Sequence, residues 1–191
     1  MSETVTLVEP VKIGGGTIAS LPVREPTCAV MARAWRHVEA TGNPEASFLF
    51  ERELVAGVAG LARPDMLDAI SVADLTTASK KITDLIDANL AGFDPENAEV
   101  EVTLNEPVIE SGVEYATLSL RSARTGEMLR ARGHLRSGQG PASQLAYQMS
   151  LTAAVGGVPI KVLQRFPVTV VMRAAMTIEV FTVRPPATGS A

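Results

Sequence analysis

The sequence predicts an α+β protein of two homologous domains, each a β-hairpin followed by about three helices. Three observations carry that prediction. The chain repeats itself: Val5-Thr-Leu-Val-Glu-Pro-Val returns as Val102-Thr-Leu-Asn-Glu-Pro-Val, and the copies then run at an offset of 97 to Gly60 and Gly157, with 19 identities in 56 aligned positions. Each copy opens with apolar residues alternating at period two and continues with apolar residues at helical spacing. Clusters of Gly, Pro and Asn separate these stretches. A repeat this long is a duplicated domain rather than a solenoid unit. It also filters candidate sites, because active-site residues would be expected once per copy or split across the pair.

The elements follow in order. Residues 4–24 read as a hairpin, with Val5 and Leu7 on one arm, Ile18, Leu21 and Val23 on the other, and Gly14, Gly15 and Gly16 as the turn. A phosphate-binding loop would need a following Lys-Ser/Thr, whereas Thr17-Ile-Ala follows and the second copy reads Ser111-Gly-Val. Thr27 is placed to cap a helix running to about Ala40. Asn43 with Pro44 opens a second helix, ended by Gly60 and Pro64. A short turn spans 64–70, and Ser71 with Asp74 makes a capping-box-like start to a third helix. Residues 91–97, Ala-Gly-Phe-Asp-Pro-Glu-Asn, read as a linker, so the domains are expected over 1–93 and 98–185.

The second copy repeats this plan, with strands near 99–109 and 113–121, Thr125 as cap of a helix over 126–136, and Pro141 opening a helix to about Val155. Past one deletion the offset becomes 96, pairing Leu67/Leu163, Val72/Val168, Ala78/Ala174 and Ile82/Ile178. Residues 168–171 and 177–183 are β-branched and favour strand locally. The register of the repeat favours helix, and we follow the register. Pro185-Pro186 and the residues after them form a loose tail.

At 191 residues and 46% apolar, the chain can bury one or two cores. Aromatics are 4%, so aliphatic side chains must fill them. The net charge of −4 is uneven: residues 1–97 carry 8 Lys/Arg and 14 Asp/Glu, residues 98–191 carry 9 and 7. The start Met-Ser-Glu-Thr lacks the apolar stretch of a leader, and no run reaches the length of a membrane span. We therefore expect a soluble, cytoplasmic protein.

No catalytic constellation emerges. His37 and His134 are equivalent, but neither has the ligands zinc requires, and arginines surround His134. Glu51 and Glu53 correspond to Gln148 and Ser150, and two-residue spacing places them on different helix faces. The single Cys28 excludes an internal disulfide and reads as a small core residue. No metal, cofactor or catalytic residue is assigned. Arg121, Arg124, Arg130, Arg132 and Arg136 form a basic cluster interrupted only by Glu127. With no interleaved aromatics and a pI of 5.3, a solvated face or a surface for an acidic partner is favoured over nucleic acid. Trp35 reads as a core or interdomain filler. Phe48 and Phe50, facing Leu145 and Tyr147 in the second copy, are candidate partner-binding residues with Arg124 and Arg130, set against a core-packing reading. Arg24 and Arg121 are expected at strand-to-helix junctions, bonding backbone carbonyls or a nearby carboxylate.

The hairpin with its internal Glu-Pro, the segment Leu21-Pro-Val-Arg-Glu-Pro-Thr27 and the helices after it resemble the tail assembly chaperones of contractile-tailed bacteriophages. In that family a Leu-x-Leu-Arg-x-Pro-Thr segment leads from a hairpin into an all-helical remainder. Leu21, Val23, Arg24, Pro26 and Thr27 match in the first copy. The second keeps Leu118, Leu120 and Arg121 and has Ala123-Arg124 for Pro-Thr. The family usually carries one such unit, so this chain would be a fused tandem. The resemblance implies a non-enzymatic protein of the host-cell cytoplasm that keeps the tape-measure protein soluble until tail-tube polymerisation, with other tail proteins or self-association as further partners. A structural tail or baseplate component retained in the virion is the alternative.

Overall fold

The computed structural model describes residues 3–13, 15–39, 42–136 and 138–183. The expected tail after 183 and the Gly14 part of the first turn lie outside these. The chain divides into two compact units, Met1–Asn89 and Leu90–Ala191, each α+β.

The first unit begins with β1 (Glu3–Ile13) paired antiparallel to β2 (Gly16–Val23). A lone two-stranded ribbon is marginal in water, so one face must be covered. Val5, Leu7, Leu21 and Val23 are buried on that face. The pairing register shifts between Thr6 and Val11, across Glu9-Pro10. Pro10 has no N–H for the ladder, which favours a bulge there.

Three helices follow: α1 (Cys28–Glu39), α2 (Ala46–Ala59) and α3 (Val72–Leu90), with a 3-10 turn at Pro64–Leu67 between the last two. Thr27 Oγ1 accepts from the Val30 amide at 3.4 Å, a long version of the expected cap. The start of α2 differs from expectation: Asn43 Oδ1 accepts from the Glu45 amide at 2.9 Å, so Asn43 closes a turn and the helix begins only at Ala46. Gly60 ends α2 in the left-handed region (φ 71°), a conformation that favours glycine. Ser71 Oγ accepts from the Asp74 amide (3.1 Å). Asp74 does not return the bond as a capping box would; its carboxylate accepts from the Val8 amide at 3.1 Å. The bulge frees that amide from the ladder, and α3 thereby holds the hairpin. Leu21, Leu54, Leu67, Leu75 and Ile82 are fully buried, each contributing about 1.5–3 kcal/mol by leaving water.

The second unit repeats the order. β3 (Glu101–Glu110) pairs with β4 (Val113–Ser119), and its register shifts between Thr103 and Val108, the equivalents of Thr6 and Val11. Ser111 (φ 52°) and Gly112 (φ 78°) are both left-handed, as a two-residue hairpin turn requires. Next come α4 (Thr125–Arg132) with a 3-10 turn at Gly133–Arg136, α5 (Pro141–Gly156), the short α6 (Ile160–Leu163) and α7 (Val168–Val183). Gly157 (φ 66°) ends α5 as Gly60 ends α2.

Thr125 is the first residue of α4 rather than its cap. Glu127 instead reaches back to accept from the Arg124 amide at 2.8 Å. The β-branched run from Val168 is helical throughout. Val168, Val171, Ala174, Ala175, Ile178 and Phe181 are buried at helical spacing, so tertiary burial of that stripe overrides local strand preference. The hairpin is held by other means than Asp74: Arg165 donates to the Ile109 carbonyl at 2.6 Å, and Lys161 pairs with Glu110 at 2.8 Å.

The segment expected as a linker packs within the second unit. The Arg173 guanidinium lies 5.1 Å from the centre of the Phe93 ring. Asp94 accepts from Asn97 Nδ2 at 2.7 Å. No helix of the described residues is long and apolar enough to cross a membrane.

Candidate functional site

Arg24 follows β2, and its Nε donates to the Val58 carbonyl at 3.0 Å, joining the strand's end to α2. Arg121 stands at the equivalent junction and is bound more heavily. Its terminal nitrogens grip Glu127 at 2.7 and 2.9 Å, and one also donates to the Ser122 carbonyl at 2.9 Å. The arginine holds the Glu127 carboxyl down at about 2, and the Arg124 amide adds to the effect. Neighbouring bonds lock the junction to α7: Ser122 Oγ donates to the Phe181 carbonyl at 2.6 Å, and the Ala123 amide donates to Thr182 Oγ1 at 3.0 Å. Each arginine thus ties the end of its hairpin to a helix that follows.

The candidate partner-binding residues separate. Phe48 is 38% exposed at the start of α2, and Phe50 is half-buried. Leu145 is fully buried and Tyr147 is 4% exposed. Neither of these two can meet a partner, because α5 turns that face into the core. The Tyr147 hydroxyl donates to Glu179 at 2.7 Å, and burial together with that carboxylate pushes the phenol's pKa up, opposed by nearby Arg132. Arg124 and Arg130 are exposed.

Other candidates resolve into structure. Glu51 accepts from Thr76 Oγ1 at 2.8 Å and Glu53 from Arg33 at 2.7 Å, so the two carboxylates serve separate contacts. Cys28 is fully buried, and burial followed by the charge of Glu25 pushes its thiol pKa far up. Trp35 is half-buried on α1. His37 lies in the last turn of α1, and His134 is exposed in the turn after α4. No group of three or more His, Cys, Asp or Glu able to hold a metal occurs among the described residues.

One surface feature was not legible in the sequence. An open groove of about 450 Å³ lies in the second unit, lined by Pro95, Glu96, Met176, Glu179, Val180 and Val183. Its floor is the apolar side of α7 that the core does not use, and its wall is the segment first read as a linker. Val183 is 82% exposed. The available signal was that α7 carries apolar residues beyond one core-facing stripe. The groove's lining is apolar apart from the carboxylates of Glu96 and Glu179. Comparison with known protein families, characterised proteins and solved structures finds no match to this chain.

Proposed function

We propose that this protein is a tandem tail assembly chaperone, which binds the tape-measure protein in the host cytoplasm and keeps it soluble until the tail tube polymerises. It works by covering surface, without chemistry of its own. The observation that carries the reading is the apolar groove on α7, with Met176, Val180, Val183 and Pro95 as its contact residues. A groove of this kind suits the apolar face of a helix, and a long helical client exposes such faces in series. Many weak contacts along one client permit later displacement. The resemblance of the residues around Arg24 and Arg121 supplies the name of the client.

The test is co-expression with a tape-measure protein encoded nearby, followed by affinity purification and a solubility assay. A soluble complex is expected, with recovery cut about tenfold by Val180→Asp with Val183→Asp, equivalent to about 1.4 kcal/mol of binding. No complex, with this protein present in finished tails, would transfer it to the structural tail or baseplate reading. Absence from both would sink both readings.

A further inference from the structure

The basic cluster differs between the two units in one instructive way. Arg130 and its equivalent Arg33 occupy the same place in the repeat. Arg33 is neutralised by Glu53 at 2.7 Å. The residue equivalent to Glu53 is Ser150, so Arg130 has lost that counterion. Among the described residues no carboxylate lies within ion-pair distance of Arg130, Arg132 or Arg136. Glu127 is the single carboxylate within residues 124–136, and it is already held by Arg121 and the Arg124 amide. In the first unit the equivalents of Arg132 and Arg136 are Trp35 and Glu39, so the cationic face belongs to the second unit alone.

The face is also shaped. Glu127 and Ala131 are buried on the inner side of α4. Leu129 points the opposite way and is 57% exposed. At 100° per residue, Arg130 and Arg132 flank it on either side. The Arg130 head folds back along the helix, 3.9 Å from the place a side chain on Gly126 would occupy. Arg136 extends the charge beyond the helix. Tyr147, which bonds Glu179 on the α7 floor of the groove and has Arg132 near its phenol, connects this face to the groove.

We propose that the face formed by α4 and the turn after it docks an acidic amphipathic helix of a partner protein, with Leu129 as the apolar contact and Arg130, Arg132 and Arg136 receiving its carboxylates. Guanidinium groups suit this role because they bind carboxylates in a fixed, bidentate geometry. Acidic residues flanking an apolar stripe on a helix match an apolar residue flanked by arginines. Nucleic acid fits less well: residues 124–136 contain no Phe, Tyr or Trp to stack a base, and the chain carries a net charge of −4. The inference deepens the reading above by naming the chemistry of the client segment. It rests on that reading only for which protein supplies the helix.

The test uses the full chain and three fluorescent probes: a helical peptide with a Leu stripe flanked by Glu, the same peptide with Lys for Glu, and a DNA duplex of about 20 base pairs. Anisotropy at low salt should show the Glu peptide binding at least about tenfold tighter than the Lys peptide. Raising the salt should weaken it, since the contacts are at the surface. R130E with R136E should weaken the Glu peptide at least about tenfold and Leu129→Ala should weaken it further, while Arg36→Glu in the first unit should leave it unchanged. Circular dichroism melts of each variant check that the fold is kept. Equal affinity for both peptides, or an unchanged charge-reversal variant, would overturn the proposal. So would DNA binding tighter than the Glu peptide and lost in R130E with R136E, or self-association abolished by that variant. Glu-peptide binding at this face without recovery of the tape-measure protein would keep this inference and remove the functional reading. A client recovered undiminished by R130E with R136E, from a protein that ignores the Glu peptide, would do the reverse.

Discussion

A side chain on Gly57 would place its first carbon 2.5 Å from Cγ1 of Val30, so α1 and α2 approach as closely as they do because residue 57 has none. Val30 is β-branched and stiff, and cannot swing aside cheaply. Gly57→Ala should therefore destabilise the first unit by about 1–3 kcal/mol despite alanine's better helix propensity. Urea unfolding would show the lowered midpoint. In the second unit the equivalents are Ala154 and Glu127. There the side chain at the position of Val30 bonds Arg121 and the Arg124 amide, and a residue with a Cβ stands at the position of Gly57.

The Arg121–Glu127 pair should make the second unit acid-sensitive. The native carboxyl titrates at about 2, below its ordinary 4.5. Between these values the unfolded chain binds the proton more readily. The pair's contribution is thus complete above about pH 5 and disappears as pH falls towards 2. Arg121 is partly exposed, so solvent screening reduces the pair's contribution to about 1–2 kcal/mol. Thermal melts from pH 6 to pH 2 should show this slope, and Glu127→Gln should flatten its share of it.

Arg24 has the lighter version of the same role, one bond to the Val58 carbonyl. Arg24→Gln should lower the melting temperature by roughly 4 °C, the equivalent of about 1 kcal/mol. Recovery of a co-expressed client should change little. A variant that keeps its melting temperature but loses the client would make Arg24 a contact residue.

Thr152 is fully buried, and its hydroxyl has no hydrogen-bond partner among the described residues. Its equivalent in the first unit is Val55, also fully buried. Thr152→Val keeps the shape and removes an unsatisfied polar group, so stability should rise by about 1 kcal/mol. Slower amide hydrogen exchange in α5 would report it, and a lower midpoint would contradict it.

Cys28 offers a probe of the first unit. Burial and the charge of Glu25 keep it protonated, so a thiol reagent at pH 8 should react only when the unit opens. The labelling rate should rise in step with unfolding, and should be faster in Gly57→Ala.

Much of the architecture was legible because it depends on neighbours along the chain. The alternating apolar residues mark the hairpins, and Gly60 and Gly157 mark the ends of α2 and α5; the bulges across Glu-Pro 9–10 and 106–107 emerged only in the structure. Local pattern failed for α7, whose β-branched residues point to strand; only comparison with the first copy suggested a helix. Residues 91–97 looked like a spacer because their glycine and proline are breakers. Their packing on α7 depends on Phe93 meeting Arg173, which no local rule contains.

The sequence by itself determined the duplication, the hairpin-then-helices order and the glycine-marked ends of α2 and α5, since backbone conformation and hydropathy period are properties of short segments. Tertiary structure alone decided which polar groups are satisfied and which surfaces remain open. It took Asp74 to the Val8 amide, buried Leu145 and Tyr147, paired Arg33 and left Arg130 with no carboxylate among the described residues. Those outcomes depend on which elements pack together, because ion pairs and buried contacts form between side chains brought close by the fold and far apart in sequence.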